Sequence, residues 1–311
     1  MFSVLGGFLL ALPASAIGDG LPVPTGTTTN EISTSGGGDR YVASRHGENT
    51  QLTRISEGRP RATVSVLPGR YTVPVVATDG TASGLSADGN TLVLIKPRQR
   101  FPQERTELQI VDTSTFTHRA VTLRGDFSFD AISPDGGSLY FIHYTSPRDP
   151  TDYEVRAYNT AAGHLLKAPI VDADEPDEEM SGFPLVRVQS PDGRWAYTLY
   201  GGTGGKPFVH ALDTATGTAH CIDLNGVPRW RLGLTANGDG SALMITRRGE
   251  PIREIDTSTL EVGPPGSASE GASGASTDDG FFAPLFAGLA LAAGVALVGA
   301  FVLRRRRLAS A

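Results

Sequence analysis

One cysteine, Cys221, stands in a chain of 311 residues, and lysine is nearly as scarce: Lys96, Lys167 and Lys206 are the only three among 27 Lys+Arg. A single thiol excludes an intramolecular disulfide and any cysteine-rich metal centre. Positive charge is itself in deficit, because 33 Asp+Glu bring the formal net charge to −6. Binding nucleic acid requires a surplus of cations to neutralise phosphates, so that class is disfavoured. No Gly-x-Ser-x-Gly elbow and no His-Glu-x-x-His zinc helix occurs. Residues 39–263 also lack any sustained helical period of apolar residues.

What is present is most distinct at the ends. Residues 281–303, FFAPLFAGLALAAGVALVGAFVL, carry no charge. At about 1.5 Å per residue they make a helix roughly 34 Å long, enough to cross a hydrocarbon core of about 30 Å. Arg304, Arg305, Arg306 and Arg307 follow at once, and four adjacent cations favour the cytoplasmic side. The expectation is a transmembrane helix at 281–303 with a basic cytoplasmic tail at 304–311. Residues 2–12, FSVLGGFLLAL, have the length of a signal-peptide core, and Ala14-Ser15-Ala16 supplies a small-x-small cleavage pattern, although no Lys or Arg precedes the run. A signal peptide at 1–16 would leave the body of the protein outside the cytoplasm. That outer part, 17–280, holds 23 Lys+Arg against 33 Asp+Glu, a net charge of −10.

Two low-complexity segments border the body: 17–38, rich in Thr, Ser, Gly and Pro, and 264–280, PPGSASEGASGASTDDG. Neither composition can bury apolar surface, so both are expected to be flexible, the second as a stalk.

The body between them repeats. A turn recurs as Ser86-Ala87-Asp88-Gly89, Ser133-Pro134-Asp135-Gly136, Ser190-Pro191-Asp192-Gly193 and, degenerately, Ala236-Asn237-Gly238-Asp239-Gly240. A second signature follows as Val111-Asp112-Thr113, Tyr158-Asn159-Thr160, Leu212-Asp213-Thr214 and Ile255-Asp256-Thr257. The first recurs every 47, 57 and 47 residues, the second every 47, 54 and 43. Asp-Gly between apolar runs makes a tight hairpin, since Gly accepts a positive φ and Asp bonds its own backbone. The flanking runs are strand-like: Thr91–Ile95, Ser138–His143, Trp195–Tyr200 and Ala242–Thr246, then Glu107–Val111, Glu154–Tyr158, Phe208–Leu212 and Ile252–Ile255. Shorter runs follow at Ala120–Leu123 and His220–Leu224, and an earlier unit without the Asp-Gly turn occupies 39–77.

Four strands in about 45 residues is the content of one propeller blade. The reading is therefore an all-β fold, a β-propeller ectodomain of about five four-stranded blades over 39–263, plus one C-terminal transmembrane helix. The Ser-Pro-Asp-Gly turn before an aromatic-rich strand, with the Asp213–Gly217 closure, resembles bacterial YVTN-type repeats over 82–263. That superfamily includes quinoprotein amine dehydrogenase propellers and the periplasmic propeller of the Tol system. The resemblance implies a toroidal scaffold with loops on two faces and does not transfer an activity.

Chemistry is sparse. Gly201–Lys206 is glycine-rich, but Tyr200 stands where a phosphate loop needs its first Gly, and Pro207 follows the lysine; a hairpin loop is expected. His46, His118, His143, His164, His210 and His220 show no ligand spacing. Cys221 reads as a buried small apolar residue. Asp172, Asp174, Glu175, Asp177, Glu178 and Glu179 form an acidic run that reads as a solvated loop, without the glycine spacing of a calcium loop. No catalytic, cofactor-binding or metal-ligating residue is assigned. The expected function is a membrane-anchored extracytoplasmic binding or scaffold module for a protein or glycan ligand of the envelope, with no nucleic acid. The alternative is a propeller enzyme, a lyase, lactonase or quinoprotein-like subunit, with residues gathered at the central channel.

Overall fold

Repetition of one hairpin chemistry builds the fold. Ser133 Oγ donates to Asp135 Oδ1 (2.6 Å), which also accepts the Gly137 N–H (2.9 Å), while Ser138 N–H donates back to Ser133 Oγ (2.9 Å). Ser86 with Asp88 (2.6 Å) and Ser190 with Asp192 (2.5 Å) repeat the clasp. Gly89, Gly136, Gly193 and Gly240 sit at φ of 73°, 72°, 72° and 77°, the left-handed region the turn demands. Each of these turns ends one strand and starts the next.

The computed structural model describes residues 30–34, 37–59, 62–177, 179–202, 206–228 and 230–268, all within one compact unit, Met1–Ser273. The expected signal peptide, the stalk beyond 268, the expected transmembrane helix at 281–303 and the tail at 304–311 lie outside the described residues. Among the described residues no helix is long and apolar enough to cross a membrane.

Five antiparallel sheets follow one another along the chain. Blade 1 is β1 (Glu31–Ser33), β2 (Asp39–His46), β3 (Asn49–Ser56) and β4 (Thr63–Leu67). Blade 2 has three regular strands, β5 (Thr91–Ile95), β6 (Arg105–Asp112) and β7 (His118–Arg124). Blade 3 is β8 (Phe127–Ile132), β9 (Ser138–Tyr144), β10 (Tyr153–Asn159) and β11 (His164–Ile170). Blade 4 is β12 (Pro184–Gln189), β13 (Trp195–Tyr200), β14 (Phe208–Asp213) and β15 (Thr218–Asp223), and blade 5 is β16 (Leu232–Ala236), β17 (Ala242–Arg247), β18 (Glu250–Asp256) and β19 (Val262–Gly263). Strands pair in chain order within each sheet. In blade 3 burial falls along the strand order: β8 is buried at every position, whereas β11 has no buried residue.

The apolar faces of successive sheets pack on one another. Tyr41 and Leu52 of blade 1 meet Leu92 and Val111 of blade 2. Leu108 and Val121 meet Phe127, Phe129 and Phe141 of blade 3. Tyr140 and Tyr153 of blade 3 meet Leu212 and Tyr200 of blade 4, and Tyr197 and Val209 meet Leu234 and Ile245 of blade 5. Among the described residues no such cluster joins blade 5 to blade 1.

Three expectations are corrected. Blade 2 lacks a regular fourth strand; the free edge of β5 instead pairs with two separate pieces. Val93 N–H donates to Gly84 O (2.7 Å) and Ser86 N–H to Thr91 O (2.9 Å), then Thr72 and Ile95 exchange two bonds of 2.9 Å. The intervening residues 73–83 form a small hairpin, closed by Val76 N–H to Thr81 O (2.9 Å), and its tip reaches blade 4. Thr78 N–H donates to Pro184 O (2.9 Å) and Asp79 N–H to Leu185 O (3.2 Å). Val73, Val75, Val76 and Ala77 are buried; Val73 packs in the core shared by blades 1 and 2, and Val76 in that shared by blades 2 and 3. The second correction concerns the borders. β1 lies in the segment expected to be flexible, and residues 264–268 fold back on blade 5, where Glu254 accepts N–H bonds from Gly266 (2.5 Å) and Ala268 (2.9 Å). Third, Cys221 is half-buried in β15 rather than buried.

Candidate functional site

The chemistry-bearing groups of the interior gather between blades 3 and 4. Around β8 the chain reads Asp126-Phe127-Ser128-Phe129-Asp130, and successive side chains of a strand point to opposite faces. Phe127 and Phe129 therefore enter the core shared with blade 2. Asp126, Ser128 and Asp130 form a polar rail on the other face. Two arginines serve it, and both ion pairs are buried, with each side chain at most 5% exposed.

Arg98, in the loop after β5, pairs with Asp126, whose other oxygen accepts the Gln103 N–H (2.8 Å). Its guanidinium also donates to Ser128 Oγ (3.2 Å) and the Phe127 carbonyl (3.3 Å), and lies 5.1 Å from the Tyr144 ring and 5.7 Å from the Phe101 ring. Ser128 Oγ and the Tyr144 hydroxyl are hydrogen-bonded at 3.0 Å, and burial pushes that hydroxyl far above its ordinary pKa. Arg187, on β12, pairs with the Asp130 carboxylate, donates to the Asp130 carbonyl (2.9 Å) and sends Nε to Thr198 Oγ1 (2.5 Å). Two arginines balance two aspartates, as a buried charge set requires.

Aromatic groups close the space beside Asp130. Tyr200 stacks on Phe208 (5.0 Å), meets His210 edge-on (6.3 Å) and stands 6.2 Å from Tyr153. His210 is 1% exposed, and burial depresses its pKa to about 4 against an opposing pull from Asp130, with a lesser push downward from the nearby Arg187 charge. The imidazole is neutral at physiological pH. Among the described residues Asp130 Oδ2 and His210 Nδ1 have no hydrogen-bond partner. Each such buried atom carries an uncompensated desolvation cost. This cluster joins neighbouring blades electrostatically.

The surface holds a second cluster. Ligand atoms of Asp172, Asp174 and His220 lie within 4.8 Å of one another. Yet Asp172 Oδ1 accepts the N–H groups of Asp174 (2.7 Å) and Glu175 (3.2 Å), and Oδ2 accepts that of Cys221 (2.5 Å). Burial raises the Asp172 pKa, but these N–H donors outweigh it and the net shift is downward. His220 Nδ1 is engaged with Asp174 Oδ2 at 2.8 Å. The trio thus pins the acidic loop to β15. Asp174, Glu175, Asp177 and Glu179 are exposed as expected of a solvated loop, whereas Asp172 is buried.

The histidines are not brought together. His46, His118 and His164 are exposed strand residues, and His143 stacks on Phe127 (4.3 Å) and bonds Glu154 (3.0 Å). Gly201 and Gly202 lie in the connection between β13 and β14, where a hairpin loop was expected. Arg98, Asp126, Asp130 and Arg187 were not anticipated, although the strict charged–aromatic alternation at 126–130 is a visible sign of a strand with two different buried faces. A further cleft of about 290 Å³ on blade 5 is lined by Thr235, Met244, Glu254 and Ala268, where the 264–268 turn folds over the sheet.

Five consecutive antiparallel sheets, each ordered from inner to outer strand and packed face to face, define a β-propeller architecture. No protein-family model and no curated protein sequence matches the chain. Among solved structures it is similar to TolB from Acinetobacter baumannii, at 14% identity over 75% of this chain and 52% of that one, with a TM-score of 0.44. It is likewise similar to the hydrazine synthase of Kuenenia stuttgartiensis (14% identity, 83% and 69% covered, TM-score 0.46). A third is an oligogalacturonate lyase in complex with manganese (14% identity, 76% and 63% covered, TM-score 0.49). The chain spans about half the length of the TolB structure it matches. The assignment rests on the sheet order, and activity does not follow from it.

Proposed function

We propose that this chain is a membrane-anchored, extracytoplasmic β-propeller of the YVTN-like kind that its repeats resemble, binding or scaffolding a protein or glycan of the cell envelope. The observation that carries the reading is the hairpin at 73–83. Its buried Val73 and Val76 pack into the cores that blade 2 shares with blades 1 and 3, and its tip bonds blade 4, so the segment between blades 1 and 2 serves the scaffold. The buried carboxylates Asp126 and Asp130 beside β8 are each held in an ion pair, with Arg98 and Arg187. The charge-free run 281–303 followed by Arg304–Arg307 supports the anchor and its orientation.

The test uses the full chain in its own envelope. Alkaline carbonate should leave it in the membrane, and protease added to spheroplasts should cut the propeller while sparing the 304–311 tail. Cross-linking in those cells should then trap one saturable envelope component. Release by carbonate, or cleavage of the tail from outside, overturns the anchor. Saturable turnover of a metabolite by the purified chain overturns the binding role in favour of the enzyme.

A further inference from the structure

Blade 5 carries a cationic aromatic patch in a domain that is otherwise acidic. Trp230 is 46% exposed. The Arg247 guanidinium lies 4.1 Å from its ring centroid and that of Arg248 5.1 Å away. Arg231 and Arg248 both sit at φ 56°, a costly conformation for a side-chain-bearing residue, and Arg248 N–H donates to the Arg231 carbonyl (3.0 Å). The two loops are thereby stitched together and the patch is held in shape. Among the described residues no carboxylate pairs with Arg231, Arg247 or Arg248, and the acid opposite by register, the exposed Glu250, has no ion pair either.

The same chain presents the complementary surface. The loop between β11 and β12 exposes Asp174, Glu175, Asp177 and Glu179, and its base is clasped by Asp172. This loop leads into the start of inner strand β12, just as Trp230 and Arg231 lead into the start of inner strand β16. The acidic loop is pinned at its base on β15, where Asp172 accepts the Cys221 N–H and Asp174 meets His220, before it runs to β12. Within one chain the exposed loop acids make no pair with the arginines of the patch; Asp174 is held by His220.

We infer that the Trp230–Arg231–Arg247–Arg248 patch docks the 174–179 acidic loop of a second copy of this chain. A two-fold axis lets each copy give its loop to the other's patch, so both contacts form at once. Arginine with tryptophan is the residue pairing that anchors interfaces most strongly, and unpaired guanidinium groups match carboxylates in forked geometry. Repulsion between two domains of net charge −10 is screened beyond about 8 Å at physiological salt, while contact pairs persist.

The test is sedimentation velocity of the full chain in neutral detergent micelles. A salt-sensitive dimer is expected, and R247E/R248E or E175R/D177R should each weaken it at least about tenfold. Mixing those two variants should restore the dimer, because every reversed patch then faces a reversed loop. W230A, which leaves all charges in place, should weaken it similarly with an unchanged thermal melt. A chain that stays monomeric up to about 100 μM overturns the inference. So does a dimer indifferent to R247E/R248E, which would associate through 281–303 instead, or folded variants whose mixture stays monomeric.

Discussion

Arg187 on the inner strand of blade 4 grips Asp130 on the inner strand of blade 3 twice, through the buried carboxylate and through the backbone carbonyl at 2.9 Å. Breaking a buried pair strands a charge in low dielectric, which costs about 3–5 kcal/mol, whereas exchanging both partners for apolar groups is often close to neutral. R187A should therefore lose about that much stability in denaturant unfolding. R187M combined with D130L should recover most of it. A double variant as unstable as R187A would show that the pair's hydrogen bonds, rather than its charge, hold the interface.

The repeat was legible because its two signatures touch. In each of the four later blades the Thr of the second signature donates to the carbonyl of the turn Gly in the first: Thr113 to Gly89 (2.5 Å), Thr160 to Gly136 (3.1 Å), Thr214 to Gly193 (3.4 Å) and Thr257 to Gly240 (2.8 Å). The turn glycines serve packing as well. A Cβ on Gly136 would stand 2.4 Å from Thr91 Oγ1, and one on Gly240 2.6 Å from Pro191, each in the preceding blade. Strands β5 and β13 were read at their full length. The inner strands β8 and β12 were not, because Asp126, Asp130 and Arg187 look like loop residues until a neighbouring blade supplies their partners. Those partners lie 28 and 57 residues away in sequence, beyond any local pattern.

The clasp yields a prediction within a single loop. Thr214 is wholly buried and donates to Arg194 O (2.7 Å) as well as Gly193 O, whereas the Thr216 hydroxyl bonds Thr218 at the surface (3.1 Å). T214V should cost about 1–3 kcal/mol, because it leaves a buried carbonyl short of a donor, and T216V less than about 0.5 kcal/mol. Urea midpoints of the two variants measured side by side decide it. Equal shifts would mean that the contact between signatures is incidental.

Acid should unfold the protein through its turns. Hydrogen bonds from Ser114 and Thr115 hold the Asp112 carboxyl at about 2, and similar donors place Asp135, Asp192, Asp239 and Asp256 below their usual value. A carboxyl depressed in the folded state contributes stability above its unfolded pKa of about 3.9, and that contribution is lost as pH falls through the folded value. Melting temperature should thus drop steeply between about pH 4 and pH 2. D112N combined with D256N should make the drop shallower. A melting temperature independent of pH in that window would sink the idea.

His210 should add a separate step at milder acidity. Burial depresses its pKa to about 4, so the folded protein keeps the imidazole neutral while the unfolded chain protonates it near 6.5. The unfolded state then binds more protons, and stability falls as pH drops from about 7, levelling near pH 4 after a loss on the order of 3 kcal/mol. H210F removes the titrating group and should flatten this step while leaving the steeper carboxylate step below pH 4 in place. In the folded protein the His210 ring carbon resonance should stay constant from pH 8 to about 5. A His210 resonance that titrates within that range would mean that water reaches the space between blades 3 and 4.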